Sequence, residues 1–216
     1  SGTPLCFAGY YHGVLEEHFR QNNLDVTNML DLKNEAKSIC GNKSSFAAER
    51  EYFECLHGLG HALIFALDGE LPISLKVCDE LNDEVDRNWC YSGIFMENST
   101  SSTNPDHPSK YLRENEPLYP CTILENKYLK MCYTLQSFYL AEINEFDWPK
   151  ISQACMKINS ELRNNCFNAI GQVLVGFTQD VGLISKTCES ILETGQEDCV
   201  QGAASALSGR YGKDIV

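Results

Sequence analysis

The chain has 216 residues, of which 43% are hydrophobic and 22% charged, with a formal net charge of −13. That length and apolar content suit one domain, or one short repeat array with a real core. The acidic balance argues against a nucleic-acid partner, which needs clustered Lys and Arg, and no apolar run approaches the ~20 residues of a transmembrane segment.

The N-terminal stretch carries Cys6, then Tyr10-Tyr11-His12-Gly13 and the carboxylates Glu16 and Glu17. Residues 20–38 are polar and predict an irregular connection leading into a first helix. Next comes Cys55-Leu56-His57-Gly58-Leu59-Gly60-His61, near the start of a predicted helix. Residues four apart share a helical face, so both imidazoles can reach one point. Cys90-Tyr91-Ser92-Gly93 echoes this motif, keeping the glycine and losing the histidine. Residues 98–120 contain Pro105, Pro108, Pro117 and Pro120 and predict an inserted loop, longer than a hairpin connection. Asp147-Trp148-Pro149 predicts a helix start, Asn159-Ser160 its end with Ser160 as the next cap, and Thr194-Gly195 the last turn.

Eleven cysteines without a Cys-x-x-Cys pair point to disulfides rather than a thiolate metal site. An oxidising compartment follows: periplasm, cell surface or secreted. Two sequons, Asn42-Lys43-Ser44 and Asn98-Ser99-Thr100, are compatible with it. Fourteen residues separate Cys40 from Cys55 and eleven separate Cys78 from Cys90; ten lie within each of Cys121–Cys132, Cys155–Cys166 and Cys188–Cys199. The second cysteines recur every 33 to 42 residues, the period of helical-hairpin repeats. Residues equidistant from a hairpin turn lie opposite one another, so each pair predicts a staple within its hairpin, with pairing between neighbouring repeats as the alternative. Cys6 is left over, and three fates stay open for it: a cysteine outside this sequence, burial, or an intermolecular bond.

The expected fold is all-α: an array of antiparallel helix hairpins forming an α/α repeat superhelix with intra-repeat disulfides, in one domain over residues 1–216. In architecture this resembles the tetratricopeptide and Sel1-like helical repeats, although their signature residues are not recognisable. The resemblance implies a curved stack of helix pairs with a concave face, and no activity.

Aligning the second helices on their cysteines places equivalent residues in rows. Two positions on stand His12, His57, Ser92, Thr134, Asn168 and Gln201; six on stand Glu16, His61, Met96, Phe138, Gln172 and Ser205. One position after the first row come Gly13, Gly58, Gly93, Leu135, Ala169 and Gly202, for which helix packing is the main explanation. Metal-capable groups concentrate in the first three helices. His12, Glu16, His57 and His61 are therefore candidate ligands for a transition metal ion (zinc, copper, iron or nickel), with Glu97 a further candidate to complete the shell. Were the site catalytic, Glu17 or Glu97 could serve as general base, with Tyr10, Tyr91 or Tyr111 nearby and His107 closing from the inserted loop. The alternative is a non-enzymatic scaffold whose concave face binds a peptide or protein partner. No reaction or substrate is legible.

Overall fold

The computed structural model describes residues 13–19, 28–101 and 108–211, and the side chains of 210 and 211 are not described. Among the described residues there is helix, turn and irregular chain, and no strand. His12, Cys6, Tyr10 and His107 lie outside the described residues. Glu16 and Glu17 fall in a helical stretch over 13–19, where both are half-buried.

The chain divides into two compact units, Ser1–Tyr111 and Leu112–Val216. In the first, α1 (Met29–Ile39) is followed by α2 (Glu49–Ala66), α3 (Leu71–Cys78) and α4 (Glu84–Thr100). Asn28 caps α1 by accepting from the Leu30 N–H, and Asp83 caps α4 by accepting from that of Val85. Each satisfies one of the donors that a helix start leaves orphaned. Glu49 and Glu51 in the first turn of α2 complement its dipole. That helix ends in a Schellman motif: Gly69 N–H donates to Ile64 O at 2.9 Å and Asp68 N–H to Phe65 O at 3.1 Å. Asp68 occupies the left-handed position (φ 52°) that glycine usually takes. Helix α2 packs against α4, with α3 against both and α1 against α3. Leu56, Leu59, Leu63, Leu71, Leu75, Ile94 and Phe95 fill the core between them. Burying side chains of this size contributes about 1.5–3 kcal/mol each.

The second unit holds α5 (Asn126–Ile143), α6 (Trp148–Cys155), α7 (Arg163–Phe177), α8 (Val181–Ser190) and α9 (Glu193–Tyr211). Asp147 and Asp180 cap α6 and α8 by accepting from the N–H groups of Lys150 and Leu183. Helix α7 packs against α9 and α5, over Phe167, Ile170 and Leu140. Two expected boundaries move. Ser160 does not cap α7; Leu162 precedes that helix, while Asn159 Oδ1 accepts from Leu162 N–H at 3.1 Å and closes the turn instead. Thr194-Gly195 lie inside the first turn of α9 rather than between helices. Gly195 sits against the Phe167 ring, where an added Cβ would stand 2.2 Å from Cδ1, so its role is close packing.

All five expected disulfides form, and their Cα–Cα distances of 5.6 to 5.9 Å lie within the normal range. Each joins the end of a short helix or turn to a position inside the long helix that follows. The ten bridged cysteines are buried. Closing a loop of this size stabilises the fold by about 3 kcal/mol on the chain-entropy account. Such staples fit an oxidising compartment, and none of the described helices is long and apolar enough to cross a membrane.

Candidate functional site

Helices α2 and α4 touch through their backbones. A Cβ added at Gly60 would stand 2.1 Å from Cys90 O, and one at Gly93 would stand 1.9 Å from His57 O. Only glycine at both positions lets the helices come this close. The approach carries the side chains of one helix directly onto those of the other.

His57 and His61 lie on α2, 8% and 6% exposed. His57 Nδ1 is 2.7 Å from Ser92 Oγ on α4, and His61 Nδ1 is 2.8 Å from Glu97 Oε2 on the same helix. The two Nε2 atoms face each other at 3.1 Å. Phe53, one turn before His57, stacks on its ring with centroids 5.4 Å apart.

The neighbours allow two protonation patterns. Ser92 Oγ is 2.7 Å from both Trp89 O and His57 Nδ1, and its single proton can go to either. When the proton goes to Trp89 O, Ser92 accepts from His57 Nδ1–H; when it goes to the imidazole, Ser92 donates to Nδ1. The Glu97 carboxylate accepts from His61 Nδ1–H. A neutral imidazole has one N–H, so with Ser92 as acceptor both Nε2 atoms present lone pairs toward the same point, and with Ser92 as donor His57 Nε2–H donates to His61 Nε2. Two facing lone pairs at that distance call for positive charge between them, a shared proton or a bound cation, whereas the second arrangement is an ordinary N–H···N hydrogen bond.

The distance suits a cation. Zinc–nitrogen bonds of about 2.0–2.1 Å at a tetrahedral angle place two nitrogens about 3.3–3.4 Å apart. Metal-bound histidines also characteristically donate their second N–H to a carboxylate or other acceptor, which fixes tautomer and orientation. With Ser92 as acceptor, both imidazoles here have that support. Among the described residues, however, no group of three or more His, Cys, Asp or Glu is placed to hold a metal.

The second unit shows what the helix crossing looks like without these groups. A Cβ at Gly171 would stand 1.9 Å from Cys199 O, and one at Gly202 would stand 1.9 Å from Asn168 O. The crossing of α7 with α9 thus repeats that of α2 with α4. The positions equivalent to His57 and His61 hold Asn168 and Gln172, which satisfy each other through a 2.7 Å bond from Gln172 Nε2 to Asn168 Oδ1. The crossing does not require histidines.

Searches against family models, curated proteins and solved structures find no match.

Glu97 also lines a cavity of about 450 Å³ at the ends of α2 and α4, with Ile64, Phe65, Asp68, Asn98 and Lys110 among its other walls. Lys110 Nζ is bound to Glu70 Oε1 at 2.7 Å and to Asp68 O at 3.1 Å. The hydrogen bonds from Lys110 and Tyr111 hold the Glu70 carboxyl below the usual carboxylate range. Asn98 is 2% exposed and its Nδ2 has no hydrogen-bond partner. A buried donor left unsatisfied costs about 1–3 kcal/mol. Buried inside α4, Asn98 cannot be reached as a glycan acceptor in the folded chain, whereas Asn42 is exposed. Tyr91 is core, its hydroxyl donating to Asp79, and Tyr111 donates to Glu70.

Two parts of this arrangement escape sequence reasoning. Ser92, in the aligned row two positions after the cysteine, reads there only as the loss of a histidine, yet its hydroxyl is the partner of His57. The glycines five positions after Cys55 and Cys166 are a second signal, because both are needed for the crossing.

Proposed function

We propose that this is an extracytoplasmic helical protein that binds a divalent transition metal, zinc foremost, through His57 and His61. The observation that supports the reading is the approach of the two Nε2 atoms to 3.1 Å, with Ser92 and Glu97 as partners on the opposite nitrogens. Ser92 and Glu97 act as orienting groups that hold the tautomers in place. His12 and Glu16 remain the proposed further ligands, with water in any open position. A metal with an open position brings the pKa of bound water toward ~7, which would give Glu17 or Glu97 a place as base. The oxidising compartment supports zinc, which has no redox chemistry of its own.

Metal analysis of protein purified without a nickel column and without chelator tests the proposal. The expected result is one transition-metal ion per chain in the wild type and loss of that ion in His57→Ala/His61→Ala. A wild-type protein free of stoichiometric metal, or a double variant that keeps it, would overturn the reading.

A further inference from the structure

The fold places one of the two Asn-x-Ser/Thr sequons on the surface and the other in the core. Asn98 lies within α4 at 2% exposure, and its Nδ2 is enclosed by protein. A bulky hydrophilic glycan joined to that nitrogen would have to displace packed side chains. Asn42 is exposed, as are its neighbours from Gly41 to Ser45. Lys43 in the middle position meets the sequon's exclusion of proline.

The chain around Asn42 is an exposed turn anchored at both ends. Cys40 closes α1 and is bonded to Cys55 in α2, and Gly41, at φ 57°, turns the chain in the left-handed region. Asn42 follows with extended backbone and caps a single 3₁₀ turn, Lys43–Ser45. Phe46, just beyond, rests against Tyr52 with ring centroids 5.3 Å apart. Asn42 Oδ1 accepts from the Ser44 N–H and from the Ser44 hydroxyl, each at 3.0 Å. Both bonds use the oxygen, and among the described residues Nδ2 has no hydrogen-bond partner. A substituent on the nitrogen therefore leaves the turn intact.

We propose that Asn42 is the attachment point of an N-linked glycan and that Asn98 carries none. The co-substrate is an oligosaccharide carried on a polyprenyl diphosphate, donated by a transferase of the secretory compartment. A bond forms between Asn42 Nδ2 and the anomeric carbon of the sugar, and the bond from that carbon to the diphosphate oxygen breaks. The diphosphate leaves with the electron pair, and Nδ2 gives one of its two protons to a base of the transferase; nothing is oxidised or reduced. The five disulfides fit a compartment in which such transfer takes place. Transfer to Asn42 is independent of any metal at His57 and His61.

The test is secretion of the full chain from a eukaryotic cell behind a cleavable leader, followed by intact mass with and without a peptide-N-glycosidase. The wild type should lose the mass of one oligosaccharide on treatment. Peptide mapping should then find the Asn42 amide converted to a carboxylate and Asn98 unmodified. Asn42→Gln and Ser44→Ala should each abolish the mass loss. Ser44→Ala removes the sequon hydroxyl and keeps the backbone bond to Asn42 Oδ1, so it reads the sequon with the turn in place. No mass loss in the wild type, a glycan retained in either variant, or a glycan found on Asn98 would overturn the proposal.

Discussion

Gly60 and Gly93 press the backbones of α2 and α4 together, and this contact lets His57 reach Ser92 and His61 reach Glu97. Helix propensity alone would favour alanine at both positions by about 1 kcal/mol. The crossing reverses that preference, since the clashing atoms are backbone carbonyls that cannot rotate away. Gly60→Ala and Gly93→Ala should each destabilise the fold by about 1–3 kcal/mol or more, the range of overpacked cores. Gly176→Ala is the control: nothing lies within 4 Å of an added Cβ there, so it should be neutral or stabilising. Thermal unfolding of the three variants under one buffer distinguishes them.

Glu97 should matter to metal affinity more than to the fold. Its side chain is 35% exposed and its carboxylate holds the His61 Nδ1–H. Replacing it by glutamine keeps the size, and the amide oxygen accepts more weakly. By analogy with other outer-shell partners, Glu97→Gln should lower metal affinity about 10–100-fold. Competition against a calibrated zinc chelator measures the loss, and an unchanged helical circular dichroism spectrum shows that the fold is intact.

How much of this is legible in the sequence differs by feature. The cysteine spacing predicts all five disulfides, because a sulfur bridge has a fixed reach and a hairpin has a fixed geometry. Four-residue spacing places His57 and His61 on one face, and the unfavourable position of Glu97 near a helix C-terminus marks it for a role. The pairing of Ser92 with His57 is not legible, since it depends on the register between two helices. Gly60 and Gly93 set that register jointly, and neither shows its partner in sequence. The start of α9 is misplaced for a related reason: Gly195 reads as a turn residue, whereas the Phe167 ring is what requires it.

Tyr52 provides a pH test within the first unit. Burial, followed by the hydrogen bond its hydroxyl donates to Asp86 Oδ2 at 2.8 Å, pushes its pKa from 10.0 to about 12. A group whose folded pKa is raised contributes stability that is full below the unfolded pKa and is lost as pH rises through the folded one. Stability should therefore fall between about pH 10 and 12 on account of this residue. Tyr52→Phe should remove that component, measured as the difference in denaturant midpoint across the window. A Tyr52 that ionises near pH 10, by its ultraviolet absorbance, would contradict the account.

Removing one staple should be costly but local in origin. Cys188 and Cys199 are fully buried and close a loop of sequence separation 11. Replacing both by alanine should destabilise the protein by about 2–4 kcal/mol. Guanidinium unfolding measures this, and peptide mapping of the unreduced wild type should recover the five bridges in the pairing described.

The claim that both Nε2 atoms of His57 and His61 present lone pairs to a shared cation is tested most directly by long-range ¹H–¹⁵N spectra of the histidine side chains. These are recorded on metal-free protein and again after one equivalent of zinc. The account predicts that His57 and His61 carry protons on Nδ1 in the zinc-bound protein, and that zinc moves both Nε2 resonances while leaving the Nδ1–H bonds in place. Nε2–H tautomers in the presence of zinc, or Nε2 resonances that do not respond to it, would contradict the account.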